Sequence, residues 1–370
     1  MTSSHISSPL PPELSAKFSP QGAPFVSSTK PDPRLTAILA WLSTLKSHPT
    51  IAASIRPASA DASFRRYFRI DVDGKYTADG ETLIVMDAPQ PQEDVRPFIA
   101  IASVFSDAGM STPKILAQDV RQGFLLLSDL GPTTYLQELN DDNANVLYLD
   151  AIDALVNMQT HSKPDLLPEY DRAFLLEELQ IFTEWYIGKY LNVTLSAEQS
   201  ASLDTVFTAI LANNMAQPQV YVHRNYHSRN LMTLPSGNPG VLDFQDALYG
   251  PITYDLASLL CDVYRSWDEA QVLDWVIRYW ERAKRVGLPV APDIDTFYRD
   301  FEYMGLQQHL KILGLFARLN YRDGKDAYMQ DLPQIMDYVR KTALRYRELI
   351  PLVRLLDMLE KIPQQIGYTF

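Results

Sequence analysis

The chain has 370 residues, 46% of them apolar, and a formal net charge of −12, so it can bury a core large enough for two lobes. The negative charge argues against a surface for nucleic acid or anionic membrane, either of which needs clustered Lys and Arg. Because no apolar run approaches the ~18–20 residues of a membrane span, no signal-peptide pattern opens the chain, and one cysteine cannot form an internal disulfide, we expect a cytoplasmic protein.

The first part of the chain alternates between strand-like and helical patterns. Residues 1–33 are rich in Ser and Pro without a sustained period, which is typical of a disordered tail whose apolar surface cannot offset its ordering entropy. In chain order, the patterns that follow predict a helix over 35–45, strands at 64–70 and 82–86, a helix from about 94 to 109, and strands at 114–119 and 123–128.

Beyond Gly131 the pattern is mainly helical. Amphipathic spacing predicts the helices, and short apolar runs predict strands on either side of one polar loop. The predicted helices cover 147–158, 174–190, 254–265, 268–285, 294–319 and 331–361, and the short strands cover 219–222, 231–234 and 240–243.

The polar loop at 223–230 and the strand that follows it carry the pattern that points to chemistry. His223, Asn230 and Asp243 fit the pattern His-x-Asp-x-x-x-x-Asn followed by an apolar strand ending in Asp-Phe. In kinase-like phosphotransferases these are the catalytic loop and the metal-binding strand. A carboxylate and an amide oxygen are hard ligands of the kind that Mg²⁺ prefers. We therefore predict that Asn230 and Asp243 converge on one magnesium ion.

One member of the pattern is changed, because Asn225 occupies the position where a proton-accepting Asp belongs. The amide has nearly the shape of a carboxylate, but it cannot take a proton as a base, and its NH₂ group donates where a carboxylate only accepts. General-base assistance is worth roughly 10²–10⁴-fold in rate. We therefore expect this chain to bind its ligands and to turn over slowly.

The neighbours of this motif have more than one interpretation. His223 is expected to brace the loop through hydrogen bonds rather than to act as a base, and Arg224 is grouped with it in the catalytic loop. His227 either touches substrate or is a solvated loop residue. Asp255 is expected to accept N–H groups at a helix N-terminus and so to anchor the loop.

Two helical segments offer candidate substrate contacts. Glu178, Phe182 and Trp185 have helical spacings of four and three, which place them on one face. They either wall the acceptor pocket, with Trp185 stacking on a sugar, or belong to the core. Gln308, His309 and Arg318 could reach a substrate carboxylate such as a lactyl group, although a position on the helix surface is the alternative for each.

The nucleotide-binding signals are less direct. The turn Ser59–Ser63 contains no glycine, but its small side chains would still let backbone N–H groups approach phosphate oxygens. The strand at 82–86 would be expected to carry a Lys for the phosphates, yet it ends in Met86-Asp87. Either an Arg within 65–69 supplies the charge, or magnesium and backbone hold the phosphates alone, which leaves the role of Glu93 as an ion-pair partner open. The arginines of this segment either face phosphates or are solvated.

Long blocks of the chain, from about residue 34 onward, resemble the aminoglycoside phosphotransferase-like kinases. The blocks are Ser59–Arg69, Val85–Pro89, Gly123–Gly131, His223–Asp262 and residues 305–325. The resemblance implies an α+β, two-lobed, protein-kinase-like fold. A small antiparallel-sheet N-lobe at 34–130 would bind nucleotide, and a larger, mainly helical C-lobe at 131–370 would carry catalysis and bind the acceptor.

Within that family the chain looks most like the amino-sugar kinases of bacterial cell-wall recycling. This resemblance implies an enzyme that uses ATP and Mg²⁺ to phosphorylate the anomeric hydroxyl of N-acetylmuramate or N-acetylglucosamine. We also expect a monomer. Two alternatives stay open: a pseudokinase that binds ATP or sugar without transfer, and a related kinase acting on aminoglycosides, choline or homoserine.

The resemblance also implies roles by position. Residue 225 corresponds to the base, while Asn230 and Asp243 correspond to the magnesium ligands. The predicted nucleotide contacts are Ser59, Ala60, Asp61, Ala62, Ser63 and Arg65 at the phosphates, with Leu127 and Asp129 at the hinge beside the adenine, and the predicted substrate contacts are His227, Glu178 and Trp185.

Overall fold

The computed structural model describes residues 32–59, 64–73 and 82–360. Most of the predicted tail, and the turn residues Ala60, Asp61, Ala62 and Ser63, lie outside the described residues. The chain forms two compact units. The first comprises the described part of Met1–Ala100 with Pro113–Leu130, and the second comprises Ile101–Thr112 with the described part of Gly131–Phe370.

The first unit is built on a five-stranded antiparallel sheet. Its elements are α1 (Pro33–Thr44), a 3₁₀ turn (Ala52–Ser54), β1 (Arg56–Ser59), β2 (Arg66–Asp71), β3 (Thr82–Asp87), α2 (Arg96–Asp107), which continues into the second unit, β4 (Ile115–Asp119) and β5 (Phe124–Ser128). The strands pair in the order β1-β2-β3-β5-β4. The four predicted strands of this region are confirmed. Strand β1 was not predicted, because its sequence Arg-Pro-Ala-Ser has no apolar alternation.

The core of the first unit lies between α1 and one face of the sheet. Ile38 and Leu42 of α1 pack in one cluster with Phe68 and Ile70 of β2 and Val85 of β3. The strand positions Phe68 and Ile70 are two residues apart, as expected for side chains on the same face of a strand. Full burial of an aliphatic or aromatic side chain stabilises a fold by about 1.5–3 kcal/mol, so this layer holds α1 to the sheet.

A buried carboxylate fixes the end of β3. Asp87 is fully buried and accepts hydrogen bonds from Arg34 Nε of α1 at 2.7 Å and from Arg66 Nε of β2 at 2.9 Å. Arg66 also forms an ion pair with Asp32 at 2.5 Å. An unpaired carboxylate at this depth would be strongly destabilising, and the two guanidinium groups compensate it. Asp87 therefore links three elements of the sheet region in the place where a phosphate-binding Lys was expected.

The second unit is mainly helical, with two short antiparallel strand pairs, β6–β9 and β7–β8. Its helices are α3 (Tyr135–Glu138), α4 (Ala144–Thr160), α5 (Arg172–Ile181), a π-helix (Phe182–Tyr190), α6 (Ala197–Ala216), α7 (Tyr254–Leu260), α8 (Glu269–Arg285), α9 (Ile294–Asp323), α10 (Leu332–Arg345) and α11 (Ile350–Leu359), with 3₁₀ turns at Asp326–Asp331 and Arg347–Leu349. Its strands are β6 (Gln219–Val222), β7 (Leu231–Met232), β8 (Gly240–Val241) and β9 (Leu248–Pro251). No helix among the described residues combines the length and apolarity needed to cross a bilayer.

Several elements of the second unit differ from the predicted pattern. Helix α6 was missed, although Ser196 and Gln199 form a capping box at its start. The helix predicted at 331–361 is two helices, because Pro351 lies at the beginning of α11, where its missing N–H interrupts a continuous helix. The helix predicted at 174–190 changes from α to π at Phe182.

The longest helix, α9, closely approaches the junction between α5 and the π-helix. A Cβ atom added to Gly314 would lie 2.3 Å from the carbonyl oxygen of Ile181. Only glycine permits this separation of the two backbones. Three residues earlier on each helix, Lys311 and Glu178 meet in an ion pair of 2.7 Å. The close packing thus brings two charged side chains together beside the polar loop.

Candidate active site

The polar loop at 223–230 is anchored by a buried carboxylate of α7. Asp255 accepts hydrogen bonds from the backbone N–H groups of His223 at 2.6 Å and Arg224 at 3.0 Å. The predicted anchoring of the loop is confirmed, but the predicted capping is not, because both donors belong to the loop and the N-cap of α7, Thr253, has no side-chain cap. Burial raises the pKa of Asp255 to about 7, against the opposing effect of the two N–H donors. The first residues of the loop are therefore fixed relative to α7.

The pKa of Asp255 predicts a pH-dependent stability. Between its ordinary pKa of 3.8 and about 7 the folded protein binds more protons at this site than the unfolded chain does. The free energy of unfolding that Asp255 contributes therefore falls as the pH rises through that window. His223 and His309 act in the opposite sense, because burial lowers their pKa values to about 3 and about 4. Comparison with an Asp255→Asn variant, which keeps both histidines, separates the contribution of the carboxyl group to the free energy of unfolding from theirs.

We expect the stability of the wild-type chain relative to Asp255→Asn to decrease from about pH 5 to about pH 7.5, as measured by urea unfolding. Loss of the two backbone hydrogen bonds to the carboxyl group should cost the variant about 1–3 kcal/mol. Asp246→Asn is the matched control, since Asp246 is exposed. A wild-type-minus-variant difference that does not change with pH would contradict the assignment.

His223 braces the loop as predicted. Its Nδ1 accepts the backbone N–H of Asn225 at 3.1 Å, and its fully buried ring stacks on Phe105 with centroids 5.9 Å apart. Burial lowers the pKa of His223 to about 3. The imidazole is therefore neutral near pH 7, and this hydrogen bond uses the lone pair that a general base would need.

Two residues of the site have strained backbones. Arg224 has a φ of 74° and Asp243 a φ of 61°, and they are two of the four non-glycine residues with positive φ in the described part of the chain. Such conformations cost about 1–3 kcal/mol each and persist only where the surroundings impose them. Backbone strain is thus found at two positions of the predicted catalytic loop and metal-binding strand.

The structure brings Asn225, Asn230 and Asp243 together. Asn230 Nδ2 lies 3.3 Å from Asp243 Oδ2 and donates to the carbonyl oxygen of Asn225 at 3.0 Å. Asn225 Nδ2 lies 3.4 Å from the carbonyl oxygen of Asp243. The backbone N–H of Leu242 donates to the Asn230 carbonyl oxygen at 2.9 Å and holds the strand beside the loop. The base position and both predicted magnesium ligands therefore share one site.

The donor set at this site fits magnesium. Asp243 would supply a carboxylate, and Asn230 would supply the oxygen of the amide whose nitrogen faces Asp243; both are hard ligands. Among the described residues no group of three or more His, Cys, Asp or Glu side chains is placed to hold a metal. Mg²⁺ is commonly bound through one or two protein oxygens together with waters and substrate phosphates, so a two-residue site is consistent with it.

His227 is not a solvated loop residue, which was one of the two predicted alternatives. Its half-buried ring lies against Tyr264 with centroids 5.7 Å apart, and its Nε2 is 3.4 Å from Asn230 Nδ2. Its buried Nδ1 has no hydrogen-bond partner within the described residues. The next residue, Ser228, donates its N–H to the buried carboxylate of Asp262 at 3.1 Å and fixes this part of the loop. A contact of His227 with substrate remains a prediction.

Glu178 is a buried ion-pair partner. It accepts hydrogen bonds from Arg224 Nη2 at 2.8 Å, from Lys311 Nζ at 2.7 Å and from the hydroxyl of Tyr170. The predicted common face with Trp185 is altered, because the π-helix that begins at Phe182 has a different period. Within the described residues no hydrogen bond or ring contact joins the half-buried Trp185 to the loop.

Comparison with known proteins agrees with this site. Residues 54–291 match the phosphotransferase enzyme family. The chain belongs to this family. It is 45% identical to an N-acetylmuramate/N-acetylglucosamine kinase of Neisseria meningitidis, over 89% of this chain and 97% of that protein. It is 46% identical to a protein of the same name from Pseudomonas aeruginosa, over 83% of this chain and 89% of that protein.

Solved structures show that this phosphotransferase has the predicted kinase-like fold. An ADP-bound aminoglycoside phosphotransferase, APH(2'')-Ib, superposes with a TM-score of 0.57 at 13% identity, over 84% of this chain and 99% of that one. A choline/ethanolamine kinase family protein from Mesorhizobium loti gives a TM-score of 0.58 at 13% identity, over 88% and 99%. At such low identity these two comparisons establish the fold alone.

In the sheet unit of this phosphotransferase, the arginines within residues 65–69 form ion pairs. This excludes the alternative that they are solvated. Arg65 Nε donates to Glu93 Oε2 at 3.0 Å, and each of the two side chains is 14% exposed. Arg69 Nε donates to Asp129 Oδ2 at 2.5 Å. Asp129 also accepts from Thr82 at 2.6 Å, so its carboxylate binds the sheet itself.

The structure does not test the predicted contacts of the hinge residues with a nucleotide. Leu127 is buried in β5, where it pairs with Ile84 of β3. The described part of the predicted phosphate turn ends at Ser59, the last residue of β1. Contacts of Ser59, Leu127 and Asp129 with a nucleotide therefore stay predictions.

Sequence reasoning missed Lys311 and misplaced its neighbours on α9. Gln308 and His309 are buried rather than on the helix surface, with Gln308 Nε2 donating to the Tyr254 carbonyl at 2.7 Å and His309 Nε2 3.0 Å from the Cys261 carbonyl. Lys311 instead reaches Glu178. The sequence signal that could have identified Lys311 is its position as a single charge between Leu310 and the apolar residues that follow it. A lysine inside an apolar helical run is rarely buried without a partner.

Proposed function

We propose that this phosphotransferase transfers the γ-phosphate of ATP to the anomeric hydroxyl of N-acetylmuramate or N-acetylglucosamine. The observation that carries the chemistry is the convergence of Asn225, Asn230 and Asp243, with 3.3 Å between Asn230 Nδ2 and Asp243 Oδ2. The identity of the sugar is inferred from the relatives of 45–46% identity, which are named N-acetylmuramate/N-acetylglucosamine kinase. A sugar 1-phosphate formed in this way could feed nucleotide-sugar synthesis during peptidoglycan recycling in the cytoplasm.

Asn230 and Asp243 would hold Mg²⁺, which when bound neutralises charge on the nucleotide phosphates. Asn225 is half-buried beside them and presents an amide to the acceptor hydroxyl. The amide can orient the hydroxyl through a hydrogen bond, but it does not accept the proton that the hydroxyl releases. Asp255 and His223 keep the loop main chain in position. Positioning thus remains while general-base assistance is lost, and slow transfer follows.

For the nucleotide, Arg65 is the proposed phosphate-binding cation. It closely follows the predicted phosphate turn, and Glu93 holds it by the ion pair at 3.0 Å. Glu93 also accepts the backbone N–H of Phe64 at 3.2 Å, which fixes the backbone entering β2. Because β3 ends in Asp87 instead of a lysine, an arginine oriented by a glutamate is the alternative source of charge. We further propose that the enzyme acts as a monomer.

A pseudokinase that binds ATP or sugar is the second candidate, and Asn225 is the observation that favours it. The pairing of Asn230 with Asp243 argues against it, since a protein that had abandoned transfer would have no need to retain the two predicted metal ligands side by side. Turnover measured beside binding separates the two candidates. A pseudokinase binds ligand with no transfer, whereas an impaired kinase transfers slowly.

The proposed function predicts where phosphate is attached. The Asn225→Asp chain is incubated with ATP, Mg²⁺ and a panel of N-acetylmuramate, N-acetylglucosamine, choline, homoserine and an aminoglycoside, and products are identified by ³¹P NMR. We expect 1-phosphates of the two N-acetyl sugars. Methyl N-acetylglucosaminide, in which the anomeric oxygen is blocked, is the matched control and should not react. Phosphate on O6, or acceptance of no sugar, would refute the proposal.

A further inference from the structure

A charged cluster lies next to the base position and includes the side chain of the preceding residue, Arg224. Arg224 and Lys311 both bind Oε1 of Glu178, at 2.8 Å and 2.7 Å, and the hydroxyl of Tyr170 donates to Oε2. Lys311 Nζ also lies 3.3 Å from the hydroxyl of Tyr254. We call Glu178, Arg224 and Lys311 the Glu178 cluster. Both oxygens of its carboxylate are occupied.

The Glu178 cluster carries an excess of positive charge, with two cations for one anion. Burial alone would lower the pKa of Lys311, but Glu178 more than offsets it, so the ammonium stays protonated. Burial would raise the pKa of Glu178, yet Lys311 and Arg224 hold it below its usual value. Asp255 is the other carboxylate near Arg224, but it binds the backbone N–H instead of the guanidinium group. The three ionised side chains therefore sum to one positive charge.

The exposed part of the cluster is its cationic part. The side chain of Glu178 is 5% exposed, whereas those of Arg224 and Lys311 are each 18% exposed. Arg224 Nε is buried and has no hydrogen-bond partner among the described residues. A buried guanidinium donor left unpaired is costly. The solvent-accessible groups of the cluster are thus cations, and one buried guanidinium donor lacks a partner in the described part of the chain.

We infer that Arg224 and Lys311 bind the carboxylate of an acidic acceptor sugar and set the preference for N-acetylmuramate over N-acetylglucosamine. The inference rests on the proposed function. The two sugars differ by the lactyl ether of N-acetylmuramate, which carries the carboxylate, and both would present the same anomeric hydroxyl to residue 225. Arg224 precedes that residue in the chain, so the loop that receives the hydroxyl also supplies a cation for the acid. Gln308 and His309 are bonded to backbone carbonyls and do not compete for this role.

The test compares the two sugars in single variants of the full Asn225→Asp chain. Lys311→Met should lower the ratio of kcat/KM for N-acetylmuramate to that for N-acetylglucosamine by about 10- to 100-fold, the size expected for a lost charged hydrogen bond. The loss should fall on KM for N-acetylmuramate, with kcat little changed. Glu178→Gln removes the anion instead and should raise the same ratio. Lys341→Met, at an exposed position of α10, is the matched control and should leave the ratio unchanged.

Opposite shifts for the two cluster variants would support a carboxylate site, and added salt should weaken both shifts. A parallel loss for both sugars in Lys311→Met would overturn the inference, because it indicates a structural role alone. If Lys311→Met does not fold, a fall or no change of the ratio in Glu178→Gln overturns it equally. Failure of the parent chain to phosphorylate either sugar is a distinct result, which refutes the proposed function.

Discussion

An Asn225→Asp variant is expected to transfer phosphate about 10²- to 10⁴-fold faster than the chain that carries Asn225. The side chain is half-buried beside the carbonyl oxygen of Asp243, and its neighbours Asn230 and His223 are already positioned by hydrogen bonds. A carboxylate of the same shape would accept the proton of the acceptor hydroxyl as the new bond forms. Because the shape is kept, the gain should fall on kcat with KM little changed.

Steady-state assays of both chains with N-acetylglucosamine, ATP and Mg²⁺ measure this effect. Asn192→Asp is the matched control, since it adds the same charge at an exposed position that has a positive φ in the structure. Equal rates for the wild-type chain and the Asn225→Asp variant would refute the base assignment. Sugar and ATP binding without transfer in either chain would favour the pseudokinase.

The sheet region and the motif were predictable because their signals are local. Alternating apolar residues such as Phe68 and Ile70 mark a strand whatever lies around them. The spacing from His223 to Asn230 predicts a loop, and an apolar strand ending at Asp243 predicts a second ligand on its edge. The register that brings Asn230 within 3.3 Å of Asp243 follows from the strand pair β7–β8, in which Leu231 faces Val241.

The Glu178 cluster was not predictable, because Arg224 and Lys311 lie 46 and 133 residues from Glu178 along the chain and meet it only after helix packing. Their meeting depends on the close approach of Gly314 to Ile181, which no helical pattern reveals. The positive φ of Arg224 could not be predicted from the sequence either, since a positive φ is uncommon for a residue with a long side chain. Helix α6 is a different case, because its capping box was readable in the sequence and was overlooked.

Replacing Asp243 by Asn in the Asn225→Asp chain is expected to lower kcat more than about 10²-fold. Charge stabilisation by a bound metal is worth several kcal/mol, and each ~1.36 kcal/mol corresponds to a tenfold change in rate. The substitution removes the negative charge while keeping an oxygen ligand. It also suits the backbone, because Asn adopts the left-handed conformation that Asp243 has at a φ of 61°. The fold should therefore persist, and the loss can be attributed to the metal site.

A titration with Mg²⁺ separates a metal ligand from a structural carboxylate. If Asp243 and Asn230 hold the ion, the Asp243→Asn chain needs more Mg²⁺ for half-maximal rate, and part of its activity returns at high Mg²⁺. If Asp243 served only to receive the amide of Gln245, which donates to its Oδ1 at 2.7 Å, the rate would fall without a change in Mg²⁺ dependence. Asp246→Asn, three residues further along and exposed, should alter neither quantity. An unchanged Mg²⁺ requirement in Asp243→Asn would therefore show that this pair does not bind the metal. It would also refute the chemical basis of the proposed function.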